Sequence, residues 1–216
     1  MRMRDALRQA IREEMLRDER IFLMGEDIGL YGGSYAVTSG LLDEFGDQRV
    51  IDTPIAESGI IGAGIGAAMG GLHPMVELMT INFSFLALDQ IVNTAAKLYH
   101  MSNGQINVPM VIRMASGGGS QLAATHSHSL EGLYAHFPGL KVVCPSNAAD
   151  GKGLLKRAFR DQNTVIFIEH TANYALKGEV PDDPDFLVEF GVANILREGT
   201  DVTIVAWSRS VTTALA

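Results

Sequence analysis

Cysteine is almost missing from this 216-residue chain. Cys144 stands alone, so no internal disulfide can form and no thiolate metal cluster can be built. Positive charge is scarce too: 17 Lys and Arg face 25 Asp and Glu, a formal net charge of −8, which argues against nucleic acid as a partner. The longest stretch free of formal charge, Ser58–Val76, is broken by glycines and by His73-Pro74, and does not read as membrane-spanning. There is no G-x-S-x-G elbow, P-loop or C-x-x-C pair. Met1-Arg2-Met3-Arg4 runs into Asp5, Glu13 and Glu14 without an apolar core, so no signal or transit peptide is read and a cytoplasmic location is expected. What the chain does have is 47% hydrophobic against 19% charged residues, a composition that folds and buries a core.

Short apolar runs alternate with amphipathic stretches. Ala6, Leu7, Ala10, Ile11 and Met15 recur at helical spacing. Buried strands are predicted at Ile21–Gly25, Arg49–Thr53, Pro74–Met79, Met110–Met114, Leu140–Cys144 and Val165–Glu169. A long helix is predicted to carry Phe85, Leu88, Ile91 or Val92, Ala95 and Leu98 on one face. Ser146 or Asn147 is placed to cap another that buries Leu154, Leu155 and Phe159. The alternation predicts an α/β fold, a mostly parallel sheet with helices on both faces. Thr171–Pro184, with Gly178, Pro181, Asp182-Asp183 and Pro184, has a linker composition. A fresh strand at Asp201–Trp207 and a helix from Ser208 follow, so residues 1–180, 181–189 and 190–216 read as a first domain, a linker and the truncated start of a second α/β domain.

Three places carry candidate chemistry. Glu57 follows the strand that ends near Asp52-Thr53 and stands where a helix is entered, the edge at which parallel α/β sheets bind ligands; it either caps that helix or is a functional carboxylate. The helix itself holds Gly62, Gly66 and Gly70 four residues apart. Each glycine costs about 1 kcal/mol of helix stability, and close packing of another backbone on that face offsets it; the spacing is wrong for a dinucleotide turn, and Glu77 is a poor match for its acidic partner. His126 and His128 follow the flexible run Ser116–Ser120, with His136 beyond; zinc binding, catalysis and an ordinary surface role all stay open for them.

Glu57-x4-Gly62-Ala63-x-x-Gly66-Ala67 resembles the glutamate-plus-glycine motif of the pyrimidine-binding domain in thiamine-diphosphate enzymes. Ile51–Glu57, Ala67–Pro74, Glu77–Phe83, Asp89-Gln90-Ile91 and His136–Val143 narrow the resemblance to the β subunit of the E1 component of 2-oxo acid dehydrogenase complexes, nearest the pyruvate dehydrogenase branch. That family implies an oxidoreductase subunit of an α2β2 heterotetramer, decarboxylating a 2-oxo acid and passing the acyl group to the lipoyl domain of E2. It assigns Glu57 to hydrogen bonding with the aminopyrimidine, starting the proton relay that makes the thiazolium carbon a nucleophile. Ile55 and Phe83 match apolar contacts to the same ring. His126 matches the active-site histidine, and His128 departs from the usual glutamine. Met110, Ala158, Phe159, Asp161 and Asn163 match residues that hold potassium through carbonyls and one side chain. The Gly-Asp-Gly motif with a downstream Asn-Asn is absent, so Mg²⁺ and the diphosphate fall to the α subunit. Branched-chain and acetoin relatives and a non-catalytic assembly subunit are the rival readings.

Overall fold

The computed structural model describes residues 1–119 and 121–216; the flexible run read from Ser116 ends on Ser120, outside the described residues. Its centre is a six-stranded sheet in the order β2-β1-β3-β4-β6-β5. The strands are β1 (Ile21–Gly25), β2 (Val50–Asp52), β3 (His73–Leu78), β4 (Val111–Ser116), β5 (Lys141–Val143) and β6 (Val165–His170). Every pairing is parallel, with Leu23 opposite Val50 and Met75, and Val111 opposite Met75 and Val165.

Both faces of this sheet are dry, which is why its strands read as continuous apolar runs rather than alternating ones. Met75, Val111, Val165 and Phe167 face α1 (Met3–Arg17) and α6 (Ala148–Phe159). Val76, Ile112, Ile166 and Ile168 face α3 (Glu57–Met69) and the segment 81–95. Three short helices, α2 (Leu41–Phe45), α4 (Leu98–Met101) and α5 (Glu131–Ala135), fill the connections, and α7 (Arg209–Leu215) ends the chain. The expected cap of α6 is present: Asn147 Oδ1 accepts from Asp150 N at 2.9 Å. No helix among the described residues is long and apolar enough to cross a membrane.

Two expected elements differ. The long helix is replaced by a 3₁₀ segment, Ile81–Ala87, a π-helical segment, Gln90–Ala95, and α4. The run mixes Ala and Leu with the β-branched Ile, Val and Thr, which lose rotamer freedom in a helix, and with Asn and Ser, which offer alternative local hydrogen bonds. Changing the winding lets Ile81, Ala87, Ile91 and Val92 all reach the core while Phe85 stays exposed. Asp201–Trp207 is not a strand. Among the described residues no neighbouring strand pairs with it, and Val202, Ile204 and Val205 are exposed.

The stretch with linker composition is bound along its length. Met3 N donates to Leu176 O at 2.9 Å, Arg4 N to Tyr174 O at 3.2 Å and Gly178 N to Met1 O at 3.0 Å. Lys152 donates to Pro181 O at 3.1 Å and Lys156 to Pro184 O. Both ammonium groups are fully buried and share the Glu13 carboxylate at 3.0 and 2.5 Å, so the buried charges are paired, as burial requires.

Candidate functional site

The strand order sets where a ligand fits. From β1 the chain goes to β2 on one side and later to β3 on the other, so the connections diverge and leave a crevice at the carboxyl ends of β1 and β3. Loops 26–40 and 79–87 border that crevice, and α3 enters it from β2.

Glu57 is the first residue of α3 and only 5% exposed. A carboxylate in the first helical turn suits the helix dipole, yet the N-cap residue is Ala56 and contributes no side-chain bond. Among the described residues no donor hydrogen-bonds the Glu57 carboxylate. Its side chain is largely buried, yet its carboxylate oxygens still reach solvent and are open to a ligand, which the capping reading does not explain. Glu26, at the end of β1, faces the same region: burial, then the charges of Glu57 and Asp27, push its carboxyl above the usual range.

Asp52, the residue before the Thr-Pro turn, has a structural task. Its carboxylate accepts from Gly29 N at 2.6 Å and Leu30 N at 3.3 Å, clamping the loop after β1 to the end of β2. That loop turns through Gly32 and Gly33 at φ 79° and 81°, a region that glycine enters without strain. It presents Leu30 and Tyr31 to solvent, and Ile55 is exposed as well.

The 3₁₀ segment places the aromatics. Ser84 is pinned inward, donating to Ile81 O at 2.5 Å and accepting from the buried Tyr134 hydroxyl at 2.5 Å. Its neighbours Phe83 and Phe85 therefore flank it and meet the histidines of the loop after β4. Phe83 and His126 pack edge-to-face with centroids 5.2 Å apart, and Phe85 and His128 do so at 6.2 Å. The structure thus brings Phe83, His126 and His128 together over one segment. Among the described residues no group of three His, Cys, Asp or Glu is placed to hold a metal ion.

The potassium candidates gather elsewhere. Ala158, Phe159, Asp161 and Asn163 make the turn from α6 into β6, and Met110 immediately precedes the neighbouring β4, at the amino edge of the sheet, opposite Glu57. Met110 O accepts from Val165 N at 2.9 Å and Ala158 O from Asp161 N at 3.2 Å. Asp161 binds the Lys141 ammonium at 2.6 Å and Asn163 N at 3.0 Å. A lysine already supplies positive charge to that carboxylate, and the Met110 and Ala158 carbonyl oxygens each keep a second lone pair.

Sequence reading missed a buried ionic cluster towards the carboxyl ends of β3, β4 and β6. Arg113 on β4 bonds Glu77 on β3, Glu169 on β6 at 2.8 and 2.5 Å, and the Tyr174 hydroxyl at 3.1 Å. The two carboxylates hold the guanidinium charged despite its burial, while burial pushes Glu169 upward against the pull of Arg113. Tyr35 stacks on Tyr174 at 5.0 Å, tying the loop after β1 to the cluster. Three charged residues inside otherwise apolar strands were the available signal.

Against known proteins, residues 1–177 match the family described as the transketolase pyrimidine-binding domain. The chain is 51% identical over 215 residues to the pyruvate dehydrogenase E1 component subunit beta of Rhizobium meliloti, covering 100% of this chain and 47% of that protein. It is 51% identical over 214 residues to the mitochondrial subunit of Caenorhabditis elegans, covering 98% and 61%. The chain therefore spans between about half and two thirds of these relatives. Among solved structures, a split-gene transketolase described as an inactive beta4 tetramer superposes with a TM-score of 0.77 at 25% identity, over 99% of this chain and 64% of that one. A transketolase from Leishmania mexicana, with TM-score 0.63 and 16% identity over 78% of this chain and 25% of that one, shares the fold.

Proposed function

This chain belongs to the transketolase pyrimidine-binding domain family, and from that premise we propose that it is the cofactor-activating part of the β subunit of a thiamine-diphosphate-dependent pyruvate dehydrogenase E1. The observation that carries the reading is Glu57: buried, unpartnered and at the mouth of the switch-point crevice. An apolar edge at Ile55 and the half-buried ring of Phe83 stand with it. Together they fit an aromatic heterocycle that must also find a carboxyl group.

When bound, the cofactor supplies a carbon nucleophile and an electron sink for 2-oxo acid decarboxylation. Glu57 would hold a proton at a ring nitrogen of the bound cofactor. Phe83 would lie against the cofactor ring and fix its plane. His126 is held by the edge contact with Phe83 and by Thr125 Oγ1, 3.1 Å from its Nδ1; from there it would move a proton during acyl transfer. His128, beside Phe85, extends the same proton network.

In this reading an E1 α subunit completes the site as an α2β2 heterotetramer in the cytoplasm, holding Mg²⁺ and the diphosphate, and the acyl group passes to the lipoyl domain of E2. The exposed Gly and Ala face of α3 fits close approach by another subunit. A potassium ion at the α6–β6 turn would rest on carbonyl oxygens.

The test uses the complete β chain assembled with its α subunit. Thiamine-diphosphate-dependent decarboxylation of pyruvate, branched 2-oxo acids and acetoin is measured in parallel, with and without Glu57→Gln. Turnover of pyruvate, abolished by Glu57→Gln in an intact complex, is the expected result. Unchanged turnover would make the chain an assembly subunit, and preference for another substrate would move it to the branched-chain or acetoin relatives.

A further inference from the structure

The loop that carries His126 is closed at its base, where Gly117 N donates to His128 O at 2.8 Å. Within it Gln121 and Ala123 have φ of 57° and 65°, a strained region for residues with a side chain. Such a backbone persists only where its surroundings hold it. His170 supplies the hold. It ends β6 opposite Ser116, the end of β4, and its ring is set against Gly117. A Cβ built at Gly117 would lie 2.1 Å from His170 Nε2 and 2.3 Å from Cδ2. With φ at 86°, the position needs glycine for its backbone as well as for the ring.

The other ring nitrogen keeps the imidazole in place. His170 Nδ1 accepts from Ala172 N at 3.2 Å and caps the 3₁₀ turn Thr171–Asn173. A nitrogen that accepts carries no proton, so the ring is the neutral tautomer with its hydrogen on Nε2. A proton added at Nδ1 would meet the Ala172 N–H, donor against donor, and the bond that orients the ring would be lost. We propose that neutral His170 is a positioning residue that seats the His126 loop, and that protonating His170 unseats it. Two charged groups face the ring among the described residues, Arg209 at the start of α7 and Glu131 at the start of α5. Burial, then Arg209, hold its pKa below the ordinary histidine value, and Glu131 opposes them. The seated form is therefore kept at neutral pH and given up as pH falls through about 6.5 and below. Glu131 also accepts from Ser116 Oγ at 3.1 Å, so a charged imidazole is drawn from Gly117 towards a carboxylate at the same loop base. The catalytic consequence rests on the reading of His126 given above.

The experiment uses the full-length β chain assembled with its α subunit, as wild type, His170→Asn, His170→Ala and His126→Ala. Hydrogen exchange of the peptide 116–128, expressed as protection so that the intrinsic effect of pH drops out, is followed from about pH 8 to about pH 5, across the histidine range. Acyl transfer from pyruvate to a lipoyl domain and decarboxylation linked to an electron-accepting dye are measured alongside. In wild type, loop protection and acyl transfer should fall together below about pH 6.5. His170→Asn keeps an acceptor for Ala172 N and cannot be protonated, so its protection should persist to about pH 5. His170→Ala should slow acyl transfer about tenfold, as a displaced catalytic group does, with the dye-linked rate near wild type, and His170→Asn should restore most of that loss. Protection that never changes in wild type, or that still falls in His170→Asn, overturns the proposal. Equal slowing of both reactions in His170→Ala makes the residue merely structural and overturns it too. Normal acyl transfer in His126→Ala refutes the reading of His126, while the protection data still decide whether His170 seats the loop.

Discussion

The glycines of α3 separate two kinds of helix packing, and alanine substitution tells them apart. A Cβ built at Gly62 or Gly66 meets nothing within 4 Å, whereas one at Gly64 lies 2.6 Å from Val76 Cγ2 and 2.8 Å from Met110 Sδ. Helix propensity favours alanine by about 1 kcal/mol at each interior site. Gly62→Ala with Gly66→Ala should therefore stabilise the chain by about 2 kcal/mol, raising the melting temperature by about 4–8 °C for a chain of this length. Overpacking at Gly64 costs about 1–3 kcal/mol, leaving Gly64→Ala less stable than Gly62→Ala by about that much. Urea unfolding followed by circular dichroism reads both effects as shifts in midpoint at constant slope. The stabilised pair should also assemble less well with an α subunit if the open face of α3 is where another backbone approaches. Destabilisation by Gly62→Ala and Gly66→Ala, or Gly64→Ala as stable as Gly62→Ala, refutes the assignment of faces.

Arg113→Met should destabilise the chain by about 3–5 kcal/mol, because it leaves Glu77 and Glu169 buried without their counter-charge. Adding Glu77→Gln and Glu169→Gln to that variant should recover part of the loss in the same urea assay, and no recovery would show that packing rather than charge dominates. The hydrogen bonds from Arg20 hold the Asp18 carboxyl down at about 2, against the opposing effect of burial. A folded-state value below the unfolded one contributes stability that is fully present above about pH 4 and lost as pH falls towards 2. Asp18→Asn should flatten that part of the stability–pH profile and leave the region above pH 5 parallel to wild type.

Most of the fold was legible because parallel strands buried on both faces must be apolar throughout. Ile21–Gly25 and Val165–His170 announce themselves that way. Asp52-Thr53-Pro54 and the following glycines marked where α3 begins, and with it Glu57. Less legible was anything that depends on which elements meet. Periodicity in 81–98 is helical, but the Tyr134–Ser84 bond and the needs of two core layers give a 3₁₀ and a π segment instead. Val202–Trp207 has strand composition, and composition cannot provide the neighbour a strand requires.

The sequence by itself determined the layer order of the domain, the acidic residue at the carboxyl edge and the glycines of the helix behind it, because these follow from local periodicity and turn chemistry. Only the tertiary structure decided that Gly64, rather than Gly62 or Gly66, is the glycine the core demands, that Phe83 and Phe85 each face a histidine from the next loop, and that His170 is set against Gly117. Each of those depends on distances between residues far apart in the chain, and such distances exist only once the sheet has closed its order.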